Sequence, residues 1–396
     1  MISKNWNELI SAIHNTVDRG FFVVTGGGSM LISRLLCIPG ASQTVLEAAI
    51  PYSPEALTQF LGRQRPDQFC SGSTARRMAV SAWHRAQSLA LKSSETDLPS
   101  NAIFGFGLTA TLATSQEHRG EHRAYASLHT LDRTVSWTLK LEKGRHSRAE
   151  EEELVSDWAL ELLGEHCGLL PRRHEPTEEA YAPEVWKKII TQELPFAELH
   201  RDGTFSETLS PNTVGIFPGS FDPIHAGHCE MHKIAEQFLN GPVIPELTLF
   251  NADKPPLDYV SIRQRIEQIF AEPRFSGKSL LLSGLAYFTQ KSKHFPDRTF
   301  IVGMDTLDRI SDVRYHFGEW SLLERSHRLL KENGARFLVF GRVKKTLAGE
   351  EFECFDPQKI SPFLAELCTF VPEKEFRNDL SSTQIRKKLS LNSKIP

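Results

Sequence analysis

Two junctions of the same kind, one near the start of the chain and one past its middle, constrain the fold more than any other feature. At the first, the apolar run Phe21 to Val24 meets Thr25-Gly-Gly-Gly-Ser29 and then an amphipathic stretch from Met30 to Cys37. At the second, Val214-Gly-Ile-Phe217 runs into Pro218-Gly-Ser-Phe-Asp-Pro-Ile-His-Ala-Gly-His228 and then into a helical pattern from Cys229 to Leu239. A buried strand, a glycine turn and a helix in succession open an α/β unit. A chain of 396 residues exceeds what one hydrophobic core organises, so each junction is expected to seed its own domain.

Around the first junction the pattern continues in the same style. Val45 to Ile50 reads as a strand, and Ser53-Pro54 opens a helix through Leu61 in N-cap and N1 positions. Helices fit Thr74 to Leu91 and Ser147 to Leu163, the latter with Ser147 and Glu150 as a capping box, and strands fit Ala102 to Leu108, His122 to Thr130 and Thr134 to Leu141. Residues 1–168 are therefore expected as one α/β domain. Residues 169–211, rich in Pro, Glu and turn formers, read as a linker with a short helix near Val185 to Gln192. Residues 212–396 form the second domain, with further strands at Leu247 to Phe250, Ser279 to Ser283, Thr299 to Val302 and Phe337 to Gly341, and helices at Ser261 to Phe270 and Ser382 to Leu389. Strand and helix alternate there, which predicts a doubly wound, Rossmann-like parallel sheet with its ligand at the carboxyl ends of the strands.

Composition narrows the partners. The 46 Lys and Arg nearly balance the 49 Asp and Glu, giving a formal charge of −3 and no basic footprint for nucleic acid or an anionic membrane. No apolar run reaches the roughly 18 residues of a membrane span. The six cysteines are scattered without a CxxC, and the opening residues lack a signal peptide's apolar stretch, so a reducing cytoplasm is the expected location. Self-association into a homo-oligomer stays open.

The chemistry concentrates at the second junction. His225 and His228 flank Gly227 at the start of a helix, where backbone N–H groups and the dipole favour an anion such as phosphate. A second cluster, Ser381-Ser-Thr-Gln-Ile-Arg386, offers Ser382 and Thr383 at a helix start and the cationic fork of Arg386 one turn on. The spacing of His228 and His232 also suits zinc, but Cys229 stands where a metalloprotease motif has its glutamate, and no third ligand is evident, so no metal site is expected. Arg263 and Arg265 are either phosphate ligands or a solvated helix face.

With Gly219 to His228, Gly303-Met-Asp305, Phe337-Leu-Val-Phe-Gly-Arg342 and Ser381 to Arg386 in this order, residues from about 212 to 392 resemble the HxGH nucleotidyltransferases, and among them the nicotinamide or nicotinate mononucleotide adenylyltransferases. That resemblance implies a nucleotidyltransferase fold. It also implies that pyridine mononucleotide and AMP from ATP are joined with release of pyrophosphate, as a step of NAD biosynthesis. It assigns His225, His228 and Arg386 to catalysis, Gly219, Ser220, Phe221, Gly227, Ser382 and Thr383 to ATP, and Lys254 and Asp305 to the acceptor. Mg²⁺ would be held mainly by the ATP phosphates. Two alternatives stay open: a pyridine-nucleotide sensor without catalysis, and an HxGH transferase with another phosphorylated acceptor.

Residues from about 6 to 165 resemble the C-terminal domain of the CinA family, whose active members deamidate nicotinamide mononucleotide. The resemblance is carried by Ile38 to Ser53 with Ala56-Leu57 and Leu61-Gly62. Thr25 stands where active members have a serine nucleophile and Val24 where they have an acid, and Gly105 to Ala110 replaces their Ser-Gly-Ile-Ala-Gly-Pro. The candidate site there is Thr25, Gly26, Gly27, Gly28 and Ser29, expected to bind a pyridine nucleotide through open backbone N–H groups, to hydrolyse it, or to serve only as a turn.

Overall fold

The computed structural model describes residues 5–91, 99–115, 120–250, 256–316, 318–346, 349–353, 360–377 and 385–386. They divide into two compact units, residues 1–187 with 253–263, and residues 188–252 with 264–396.

The first unit opens with α1 (Trp6–His14), whose N-terminus is capped by the side chain of Asn5, followed by β1 (Arg19–Thr25), α2 (Met30–Cys37), β2 (Val45–Ala49) and α3 (Pro54–Phe60). Ser53 caps α3 and Pro54 occupies its first turn, where a missing N–H costs nothing. Then come α4 (Gly72–Ala90), β3 (Ile103–Thr111), β4 (His122–His129), β5 (Arg133–Leu141), α5 (Arg148–His166) with the Ser147 and Glu150 capping box, β6 (Glu178–Tyr181) and α6 (Glu184–Ile190), which runs out of this unit. The sheet order is β2-β1-β3-β4-β5-β6. Strands β2, β1 and β3 run parallel, whereas β3 to β6 form an antiparallel meander, so this sheet is mixed. Helix α4 lies against β3 so closely that a Cβ on Gly105 or Gly107 would stand 2.0 Å from Ala79 O or 2.4 Å from Ala75 O. The small residues in Gly105 to Ala110 thus answer to helix packing.

Residues 256–263 complete this unit's interior. Tyr259 is fully buried, donates its hydroxyl to Leu131 O (2.7 Å), takes Thr134 Oγ1 on its N–H (3.0 Å) and lies 4.8 Å from the His129 ring. Asp258 pairs with the buried Arg76 at 3.2 Å.

The second unit contains β7 (Phe196–Leu199), β8 (Phe205–Ser206), β9 (Gly215–Gly219), α7 (Ala226–Leu239), β10 (Val243–Thr248), α8 (Tyr259–Ala271, here from Gln264), β11 (Leu280–Ser283), α9 (Phe288–His294), β12 (Thr299–Gly303), α10 (Met304–Ile310), α11 (Trp320–Glu332), β13 (Arg336–Phe340), the hairpin β14 (Arg342–Thr346) and β15 (Gly349–Glu353), α12 (Pro362–Ala365) and β16 (Cys368–Val371). Its large sheet has the order β16-β13-β12-β9-β10-β11-β7-β8. From β16 to β11 every pairing is parallel, and β7 and β8 add an antiparallel edge. Among the parallel strands the first in the chain, β9, lies at the centre and the order reverses between β9 and β12, the switch point at which doubly wound sheets bind ligands.

Side chains alternate across this sheet. Ile216, Phe300, Val302, Phe337 and Val339 form one core with Leu330 of α11 and Leu364 of α12, while Phe217 turns to the rings of His228 and His232 on α7. Helices therefore cover both faces. The stretch expected as a linker, 169–211, carries β6 and α6 at one end and β7 and β8 at the other. Strand β10 starts at Val243, earlier than the expected Leu247, because Pro242 and Pro245 made its first half read as a turn.

Candidate active site

Strand β9 delivers its carboxyl end to a turn that bends sharply before α7. Phe221 adopts a left-handed backbone (φ 44°) that a side chain tolerates only at a cost. Its ring is fully buried, edge-on to Phe217 (5.5 Å) and His228 (5.2 Å), and a Cβ on Gly219 would lie 2.6 Å from that ring. Phe221 can therefore meet a ligand through its backbone alone, and Gly219 is required so that the ring can fold beneath it.

The two imidazoles expected to do chemistry are stacked, with centroids 3.8 Å apart and planes 31° from parallel. His225 is the N-cap of α7 and His228 the third residue of its first turn. The His225 backbone N–H donates to His228 Nδ1 at 3.2 Å. That bond uses Nδ1 as an acceptor and so assigns the proton of the neutral ring to Nε2, which becomes a fixed donor. Burial holds the pKa of His225 below its usual value, and burial together with the neighbouring His225 pushes that of His228 down to about 3. Both rings are neutral donors near pH 7. His225 Nδ1 is buried and has no hydrogen-bond partner among the described residues. The first turn of α7 adds its N–H groups and the positive end of its dipole.

Arg386 is brought to this turn, where its Nη1 donates to Asp222 O at 2.6 Å. The Asp222 carboxylate lies 3.7 Å from the same nitrogen. Arg265, which the sequence left between a ligand and a surface residue, folds inward, with Nη1 donating to Ser220 O (2.9 Å) and Nη2 to Asp222 Oδ2 (3.2 Å). Arg263 donates to Glu179 O in the first unit (2.8 Å). Asp305 opens α10 at the carboxyl end of β12, across the switch point, and its exposed carboxylate pairs with Arg342, whose other nitrogen is 3.7 Å from Asp308. Lys254, Ser382 and Thr383 lie outside the described residues.

The zinc alternative meets a direct obstacle. His232 is fully buried, with Nε2 bonded to Val243 O (2.8 Å) and Nδ1 accepting from Arg274 Nε (3.1 Å), so both nitrogens are committed. Among the described residues no group of three or more His, Cys, Asp or Glu is placed to hold a metal ion, and no helix is long and apolar enough to cross a membrane.

The glycine turn of the first unit is arranged differently from the open cradle expected. Glu152 of α5 inserts its carboxylate at the start of α2, accepting from the N–H of Gly28 (2.7 Å), the N–H of Met30 (3.0 Å) and Ser29 Oγ (2.9 Å). The protein's own anion thus uses the donors offered to a phosphate. Gly26 and Gly28 have φ of 78° and 84°, and added Cβ atoms would stand 2.0 Å from Ala110 O and 2.3 Å from Leu108. A Cβ on Gly27 would lie 2.5 Å from Leu112, so this glycine answers to packing. Thr25 is buried and donates its hydroxyl to Pro51 O (3.0 Å). That bond offers no base to activate the hydroxyl.

The cytidylyltransferase-like family model matches residues 216–388. No curated protein matches the chain. Over the N-terminal part, similar solved structures include the competence/damage inducible protein CihA of Agrobacterium tumefaciens (18% identity, 41% of this chain and 96% of that one, TM-score 0.31). Another is a competence-damaged protein (CinA) superfamily protein of Escherichia coli (14% identity, 41% and 91%, TM-score 0.33). A third, of the same superfamily, is from Klebsiella pneumoniae (10% identity, 42% and 100%, TM-score 0.33). With the switch-point sheet and the stacked His225 and His228 at the end of β9, the match of residues 216–388 to the cytidylyltransferase-like family model supports a nucleotidyltransferase.

Proposed function

We propose that the chain is an adenylyltransferase that joins nicotinate or nicotinamide mononucleotide to AMP from ATP, releasing pyrophosphate, in NAD biosynthesis. One observation carries this reading. Two neutral imidazoles at the N-terminus of α7, one with its Nε2 proton fixed by the His225 N–H, converge with Arg386 on one turn at the carboxyl end of β9. In the reaction a phosphate oxygen of the mononucleotide attacks the α-phosphorus of ATP in line, the bond from that phosphorus to the bridging oxygen of the β-phosphate breaks, and the electron pair leaves with pyrophosphate. No covalent enzyme intermediate is needed. The chain's share is positioning and charge stabilisation: His225 and His228 donate to the oxygens that gain charge, and Arg386 binds the departing phosphates. Mg²⁺, entering on the triphosphate, would supply further neutralisation.

Asp305 supports the acceptor assignment less directly, since its carboxylate is engaged by Arg342 and would exchange that partner for a ribose hydroxyl. For the first unit, the Thr25 hydroxyl bond and the Glu152 carboxylate support a role other than hydrolysis. The test is pyrophosphate release from ATP with each of the two mononucleotides. Release with at least one is expected. Release with neither, but with another phosphorylated acceptor such as phosphopantetheine, replaces the acceptor; release with none overturns the reading.

A further inference from the structure

Asp222 is the node of the site. A single carboxylate oxygen, Oδ2, lies 3.2 Å from Arg265 Nη2 and 3.7 Å from Arg386 Nη1, while the Asp222 backbone oxygen receives the Arg386 donor at 2.6 Å. Arg265 also reaches Ser220 O at 2.9 Å, so its fork spans both polar residues of the turn that leads to His225. Of the two guanidinium groups, Arg265 is the more buried, its side chain 15% exposed against 31% for Arg386, and it is the closer to the carboxylate.

We infer that Arg265 is a positioning residue that takes the larger share of the charge of Asp222 and so weakens the hold of that carboxylate on Arg386, which meets the triphosphate. This rests on the reading that Arg386 meets ATP, but not on which acceptor is used. With both arginines present, Asp222 Oδ2 is shared, closer to Arg265 Nη2 (3.2 Å) than to Arg386 Nη1 (3.7 Å), while the Arg386 donor is oriented by the neutral Asp222 carbonyl. Without Arg265, the Asp222 carboxylate still has the Arg386 guanidinium 3.7 Å away and closes on it. The resulting ion pair opposes phosphate binding, since one guanidinium fork cannot serve a carboxylate and a phosphate equally well.

The experiment is calorimetric titration of the full chain with ATP alone, in wild type, Arg265→Ala, Asp222→Asn and the double variant. Arg265→Ala should weaken ATP binding about fivefold, the scale of one partly screened ion pair. Asp222→Asn in that background should restore the affinity to about that of wild type, because the competitor is then uncharged. A role confined to holding the turn together predicts no rescue, since the double variant lacks both anchors. Should Arg265→Ala fail to fold, Arg265→Lys carries the test, with a smaller weakening that Asp222→Asn again reverses. Unchanged affinity in the single variant, a double variant as weak as the single, or a wild-type chain that binds no ATP would each overturn the inference. ATP binding with this rescue, but no transfer to either mononucleotide, would sink the proposed acceptor and leave the inference standing.

Discussion

Replacing His228 by asparagine and by glutamine separates the two things this ring does. Its Nδ1 accepts the His225 N–H and so fixes the turn, while its Nε2 proton is the donor offered to the reacting phosphate. Asparagine carries its carbonyl oxygen near the place of Nδ1 and keeps the first interaction while losing the second. Glutamine carries its amide near the place of Nε2 and does the reverse. Loss of one preorganised donor to developing charge lowers turnover by about 10²- to 10³-fold, or about 2.7–4 kcal/mol. His228→Asn should show that loss in pyrophosphate release at saturating ATP and mononucleotide, with a thermal midpoint close to wild type. His228→Gln should retain more turnover but unfold earlier, because the His225 N–H is left without its acceptor, at about 1–3 kcal/mol. Wild-type turnover in a folded His228→Asn protein would refute the assignment, and so would equal turnover in the two variants.

Three further outcomes are expected. Glu152→Ala removes an acceptor from the N–H groups of Gly28 and Met30 and should lower the stability of the first unit by about 2–4 kcal/mol, read as an earlier urea transition, with Glu152→Gln in between; an unmoved transition would count against the internal-anion account. In the second unit Lys291 and Glu246 form a buried pair, reinforced by Ser283 on Glu246 and by Thr248 on Lys291 (3.0 Å). Lys291→Met alone should cost about 3–5 kcal/mol in urea unfolding, whereas adding Glu246→Leu should recover most of it, and failure of that recovery would show the charges to be needed for more than each other. In the first unit burial pushes His84, His129 and His166 from 6.5 down to about 4, 3 and 4, so these three rings stay neutral in the folded unit where the unfolded chain binds protons. The stability of the first unit should therefore fall as pH drops from about 6.5 towards 4, by up to about 4 kcal/mol per pH unit for the three rings, and a flat unfolding free energy of that unit from pH 6.5 to 5 would contradict it.

What could be read from the sequence was mostly local. The junctions at Thr25 and Gly219 announced themselves because an apolar run, a glycine turn and a helical period follow one another in a few residues. The alternation of strands and helices announced a doubly wound parallel sheet with its ligand at the carboxyl ends of the strands, whereas the central place of β9, and hence the switch point, depends on a strand order that alternation does not give. What stayed hidden depends on distant partners. Nothing near Gly28 names Glu152, on a helix at the far end of the same unit. The inward turn of Arg265 depends on where the 220–222 carbonyl and carboxylate lie, so the helical wheel alone gave even alternatives. Asp222 sits inside the quoted motif, but its importance emerges only when two arginines from other segments arrive. Helix α11, with Leu323, His327 and Leu330 buried at helical spacing, was detectable by period and was missed among the polar residues around it.

Tyr259 and Asp258 give the first unit a history as well as a shape. The slot they fill, lined by Leu131, Thr134, His129 and Arg76, is formed by residues made much earlier than the plug itself. During synthesis from the N-terminus the unit must wait, with Arg76 short of one of its carboxylates and the Leu131 carbonyl unmatched, until residue 263 has emerged. By then β9 and β10 of the other unit already exist. An N-terminal fragment ending at 168 or 187 would lack that plug and keep the slot open.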